Sequence, residues 1–256
     1  MRTFAAIAAM LAFGIAGNAF AVDFTSQTVT VGVRKNMEST LYVPKGPGPY
    51  PTVLVMHTSG GISEADRGYC ANLAREGYIC QAPAFLRAHG INSPEIRRKA
   101  FASEARPIME DFREIIQEMQ AMPQARKGAA CVVGFSNGGY FAAMIASGGR
   151  VKASVSYYGT FTGAGTDKEM SRMRERWTAG SSPLLILAGE GDTTIGAETP
   201  RRLEAIIKGV GAPYEIKMYP GAGHDFDRSG TTGPNNAAAA ADAWQRTLAF
   251  LRKNGC

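Results

Sequence analysis

With 256 residues, 45% of them hydrophobic, the chain is long enough to build one large α/β core without dividing. The formal net charge of +6 is scattered, in groups such as Arg97, Arg98 and Lys99 or Arg172, Arg174 and Arg176 that lie among glutamates. Such groups read as solvated helix faces and argue against a nucleic-acid partner, and the spacing of the four cysteines fits no zinc pattern.

Residues 1–21 read as a signal peptide, because Arg2 precedes an apolar run over 4–16 and Ala19, Phe20 and Ala21 make an AxA cleavage site. That run is short for crossing about 30 Å of hydrocarbon. The expectation is a secreted or periplasmic protein beginning near Val22, with no membrane association after cleavage. In an oxidising compartment Cys70 and Cys80 are candidates for a disulfide; the alternative makes Cys80 and Cys131 small buried strand residues.

Residues 22–256 are expected to form a single domain. Polar and apolar residues alternate over 28–33 and 39–43, which predicts two half-exposed antiparallel strands at a sheet edge. The turn KGPGPYP then leads into a continuous apolar run over 52–56, the pattern of a strand buried between two helix layers. HTSGG, residues 57–61, is the loop after it, followed by a helix over 64–76 and a strand over 78–82 that Pro83 ends. A helical stretch over 94–122 contains Pro107, which is expected to kink or divide it. Further strands are predicted at 131–133, 153–158, 184–188 and 214–219, and helices at 140–147, 168–177, 197–209 and 237–252. Alternation of this kind gives a mainly parallel central sheet flanked by helices.

The strand at 131–133 runs into Gly134, Phe135, Ser136, Asn137 and Gly138, a GxSxG sequence between a strand and a helix. In that setting the serine sits on a strained, tight turn as a nucleophile, with glycine where a Cβ would meet the neighbouring strand and helix. A serine hydroxyl needs an adjacent base, and the base needs a carboxylate to fix its tautomer. In the order nucleophile, acid, histidine, only His224 follows Ser136. Asp192, just past the strand at 184–188, is the candidate acid; Glu190 competes with it, and Asp225 and Asp227 are too near His224 in sequence to reach across to it.

An oxyanion would be held by the backbone amide of Asn137 and by one from the 57–61 loop, Ser59 first and Thr58 next. His57, Thr58, Arg87 and Tyr140 are candidate pocket residues, His57 as a loop organiser or wall, while Trp177 and Trp244 read as packing residues.

With Ser136, Asp192 and His224 in order, and MHTSGG, LAREGYICQAPAF, GFSNGG, GEGD and GAGHDF at their intervals, the chain resembles the dienelactone hydrolase family of α/β-hydrolases. The similarity covers most of residues 22–256. It implies an α/β-hydrolase fold with no large lid, a small-molecule ester or lactone as substrate, and no metal or other cofactor. Dienelactone hydrolases proper carry a cysteine nucleophile where this chain has Ser136, and an acid where it has Thr58, so the chain is also similar to secreted serine carboxylesterases. The same three residues would serve a serine peptidase or an acyltransferase, and a non-catalytic binding module is the reading from another class. The sequence leaves oligomeric state open.

Overall fold

The computed structural model describes residues 22–161, 166–228 and 236–256, with the backbone alone at 94–95, 97–103 and 166–169. The segment expected to be a signal peptide, 1–21, lies outside the described residues. One sheet of eight strands organises the rest, in the order β1-β2-β4-β3-β5-β6-β7-β8. Its members are β1 (Phe24–Val31), β2 (Met37–Pro44), β3 (Tyr50–Met56), β4 (Ile79–Pro83), β5 (Ala125–Phe135), β6 (Ala153–Tyr157), β7 (Leu184–Gly189) and β8 (Tyr214–Tyr219).

The first two strands are antiparallel to each other, and β2 is antiparallel to β4; every other pairing is parallel. The chain adds β4 on one side of β3 and then crosses to the other side for β5. In sheets of this kind sites form at such a reversal, outside the carboxyl ends of the parallel strands.

Two helix layers cover the sheet because successive strand residues face opposite sides. Leu54, Met56 and Val132 point to the layer of α3 (Pro94–Ala121), α4 (Asn137–Ser147), α5 (Thr166–Arg176) and α6 (Glu198–Gly209). Val53, Val55, Cys131 and Val133 point to that of α1 (Glu64–Arg75) and α7 (Ala237–Lys253). Burial on both faces is why β3, β6 and β7 are continuous apolar or small-residue runs, whereas edge strand β1 is mostly exposed and alternates only over 28–31.

One expectation changes, one element is new, and the Cys70–Cys80 candidate pair is found together with a second bond. Helix α3 runs through Pro107 without dividing. The proline removes one backbone hydrogen bond, but Ile108, Met109, Phe112, Ile115 and Met119 bury the following turns against the sheet and hold the helix there. A four-residue helix, α2 (Phe85–Ala88), follows β4 and seats Phe85 and Leu86 in the core. All four cysteines are paired: Cys70 on α1 with Cys80 on β4, and Cys131 on β5 with Cys256 after α7. The second bond joins positions 125 apart and the first positions 10 apart. On the chain-entropy account the long loop contributes about 5 kcal/mol and the short one about 3 kcal/mol.

Trp177 is buried, and Trp244 packs edge-on to Tyr69 with ring centroids 5.0 Å apart, both as packing residues.

Candidate active site

Strand β5 ends at Phe135, and the chain turns at Ser136 directly into α4. The turn is sharp: Ser136 has φ 54° and ψ −112°, a conformation that costs a non-glycine residue about 1 to 3 kcal/mol. Close backbone packing holds it there. A Cβ on Gly134 would lie 2.0 Å from the Gly138 carbonyl oxygen, and one on Gly138 would lie 2.1 Å from the Met56 carbonyl oxygen, so neither position admits a side chain. Ser136 N also donates to the Tyr157 carbonyl at 3.0 Å, and the Ser136 carbonyl accepts from Thr160 N at 3.0 Å.

The loops after β7 and β8 bring two more side chains to this point. His224 Nε2 lies 3.0 Å from Ser136 Oγ, and His224 Nδ1 lies 2.7 Å from Asp192 Oδ2. The second oxygen of Asp192 accepts from the backbone amides of Thr194 and Ile195 at 2.8 and 3.1 Å. An ionised carboxylate only accepts, so Nδ1 carries the proton and Nε2 turns its lone pair to the serine hydroxyl. All three side chains are buried. Chemically this is a hydroxyl with a base in contact and a carboxylate behind the base. Glu190, the competing acid, is exposed and pairs with Arg201 at 3.5 Å.

Asn137 begins α4, whose first amides have no carbonyl one turn earlier to bond, and its side-chain oxygen accepts from Thr160 Oγ1 at 2.6 Å. On the other loop, His57 Nδ1 donates to the Thr58 carbonyl at 2.6 Å, since a carbonyl can only accept. The peptide is planar and trans, so the Ser59 N–H points away from that ring. His57 is fully buried and stacks on Phe85 at 4.0 Å. It organises the loop. Tyr140 is packed among apolar residues against Phe161, at 5.7 Å between rings, and Arg87 is exposed on α2, over a surface hollow lined also by Asn36, Glu38, Ala84 and Ala88.

Burial lowers the His57 pKa from 6.5 to about 4, with the Thr58 hydrogen bond opposing. The depressed value means that the unfolded chain takes up this proton first, so the stability it provides is present above pH 6.5 and is lost as pH falls through 4. Urea unfolding with disulfides intact is expected to show wild type losing about 3 kcal/mol more than His57→Asn between pH 7 and pH 4. Equal losses would remove His57 from the acid sensitivity.

Several buried groups beside the triangle have no sequence motif. Arg228 Nη2 pairs with Asp66 Oδ1 at 2.9 Å, its Nε donates to Tyr158 Oη at 3.1 Å, and its guanidinium lies 4.2 Å from the centre of the Phe135 ring. Tyr158 Oη in turn donates to Asp227 Oδ1 at 2.6 Å, and its ring lies 4.9 Å from that of His224. Burial raises the Asp227 pKa, with Arg228 opposing. The cluster ties the His224 loop to the start of α1, and removing one member of such a buried set typically costs about 3 to 5 kcal/mol. One end of it carries a local signal that went unread: Ser63 and Asp66 form a capping box, with Ser63 N donating to Asp66 Oδ2 at 2.8 Å and Asp66 N to Ser63 Oγ at 3.4 Å.

The sheet order, the strained serine turn between β5 and α4, and the loops that converge on it define an α/β-hydrolase. A sequence profile of the dienelactone hydrolase family matches residues 37–255. The chain belongs to that family. It is 29% identical over 219 residues to the carboxymethylenebutenolidase of Rhodococcus opacus, covering 83% of this chain and 85% of that one. A Synechocystis sp. protein provisionally assigned as a carboxymethylenebutenolidase is 28% identical over 241 residues, covering 88% of this chain and 95% of its own. Among solved structures, a provisionally assigned dienelactone hydrolase from Klebsiella pneumoniae superposes with a TM-score of 0.78 at 23% identity, covering 90% of this chain and 99% of that one.

Proposed function

We propose that this protein hydrolyses carboxylic esters or lactones through an acyl-enzyme on Ser136. The contact between His224 Nε2 and Ser136 Oγ, with Asp192 on the other ring nitrogen, carries this reading. Family membership supports the same class of reaction, and the carboxymethylenebutenolidase relatives support a small ester or lactone as substrate.

Ser136 Oγ attacks the carbonyl carbon while its proton passes to His224 Nε2. Charge gathers on the carbonyl oxygen, facing the amides of Asn137 and Ser59, which are the proposed oxyanion donors. As the tetrahedral intermediate collapses, the C–O bond to the alcohol breaks and the alcohol leaves with the proton from Nε2. Water then attacks the acyl-serine, gives a proton to Nε2, and the acid departs as Ser136 recovers its hydrogen. Asp192 holds the tautomer and stabilises the imidazolium in both halves. No step calls for a metal or another cofactor.

We also propose that residues 22–256 are the mature domain, exported to the periplasm or the medium. The AxA sequence at 19–21 and the two disulfides both support export, since such bonds persist in oxidising compartments.

A fluorophosphonate probe tests the chemistry. Wild type is expected to take up one probe per chain and lose its activity on p-nitrophenyl acetate, while Ser136→Ala takes up none. Absence of labelling in a folded wild type would overturn the hydrolase reading and favour a binding module.

A further inference from the structure

The loop that supplies His224 carries a second acid, on the opposite ring nitrogen from Asp192. Asp225 Oδ1 lies 3.9 Å from His224 Nε2, the same nitrogen that contacts Ser136 Oγ at 3.0 Å. The side chain is only 14% exposed, and Oδ1 is shielded and accepts no hydrogen bond among the described residues. Its backbone, at φ +56°, lies in the left-handed region that aspartate tolerates better than most residues.

A buried carboxylate that serves the fold is normally bonded, and the neighbouring acids are. Asp192 accepts two amides and His224, Asp227 accepts from Tyr158, and Asp66 pairs with Arg228. Arg228, whose charge acts on this group, is itself committed to Asp66, Asp227 and Tyr158, and Asp192 and Asp66 face Asp225 with like charge. Burial raises its pKa, with His224 and Arg228 opposing. An orphaned acceptor of this kind is costly to the fold and calls for a role.

We propose that Asp225 sets the charge selectivity of the site, favouring esters whose alcohol portion is cationic and turning away those whose alcohol portion bears a carboxylate. The inference rests on the ester-hydrolase reading and names the substrate class within it. The proton on Nε2 goes to the departing alcohol, so the alcohol is the part of the substrate that comes up beside the Asp225 oxygen. A cation on the alcohol is attracted by this carboxylate through a short stretch of low-dielectric protein, and an anion is repelled over the same distance.

The test uses three acetates of similar size: acetylcholine, its uncharged carbon analogue neohexyl acetate, and O-acetylglycolate, each followed by acid release in a pH-stat. Asp225→Asn keeps the size and tolerates the backbone angle, and Asp225→Gly covers the case in which the amide misfolds. Taking the ratio of variant to wild type for each ester cancels intrinsic reactivity. For a charge lost at this range, the cation-to-anion ratio of kcat/KM is expected to fall by about tenfold or more; any effect of the lost charge on the His224 imidazolium is common to the three esters and cancels in that ratio. A ratio that stays within twofold, in a wild type that turns over neohexyl acetate, overturns the role of Asp225 and leaves the hydrolase standing. A wild type that hydrolyses none of the three and takes up no fluorophosphonate overturns both.

Discussion

Ser136→Ala and His224→Ala are each expected to lower kcat for an unactivated ester such as ethyl butyrate by about 10^5- to 10^6-fold, with the double variant no worse than either single one. The physical reason is that neither group works without the other. A serine hydroxyl at neutral pH is too weakly acidic to attack unless its proton is removed as the bond forms, and the base in contact with it among the described residues is Nε2 at 3.0 Å. Alanine at 136 leaves the imidazole with nothing to deprotonate, and alanine at 224 leaves the hydroxyl with no base. Since either loss breaks the same step, the free-energy costs do not add. Ser136→Ala is expected to melt near wild type, because the turn is set by the close contacts of Gly134 and Gly138, whereas His224→Ala takes a buried ring away from the Asp192 carboxylate and is expected to melt lower while keeping its fold. Single-turnover kinetics on protein freed of wild-type carry-over would check this. A double variant that loses another factor of 10^3 beyond the singles would show two independent contributions and would remove the concerted proton transfer.

The residues that converge on this site were legible because each is tied to a local signal. The serine lies between glycines whose spacing matches a strand-to-helix turn, and the glycines are where the backbones come within contact. Histidine 224 stood alone after the serine, and Asp192 follows an apolar run that can only be a buried strand. The strand and helix alternation was readable for a related reason: strands buried on both faces are uniformly apolar, as Leu184–Gly189 is. What escaped depends on long-range placement or on single backbone angles. Helix α2 is four residues long, too short to show a period. Pro107 marks a break by local rules, and the buried face of α3 overrides it. Cys131 and Cys256 are brought together by the packing of α7 on the β5 side of the sheet, which no spacing reveals. Arg228 meets Asp66 across 162 residues of chain, and Asp225, which does not serve as the acid on Nδ1, comes to 3.9 Å from Nε2 through a left-handed backbone angle that no local pattern reveals.

Asp192→Asn is expected to lower kcat by about 10^4-fold while KM and melting temperature change little. The direction follows from how the carboxylate is held. Oδ1 accepts from the amides of Thr194 and Ile195, so in the variant the side-chain oxygen must occupy that place, because an NH2 group there would face two donors. The NH2 group is then left against His224, where Oδ2 stood at 2.7 Å from Nδ1. A donor on that side needs a lone pair on Nδ1, which moves the ring proton to Nε2. Nitrogen Nε2 then presents a hydrogen to Ser136 where the attack requires a lone pair. The geometry survives and the tautomer is reversed. Nuclear magnetic resonance of ring nitrogens in protein labelled with nitrogen-15 histidine would read the change directly, with the proton on Nδ1 in wild type and on Nε2 in the variant. Fluorophosphonate labelling, which depends on the same base, is expected to slow in parallel with kcat. A variant that keeps its Nδ1 proton and loses less than about tenfold in rate would mean that Asp192 does not orient the base, and the carboxylate would have to be sought elsewhere around the ring.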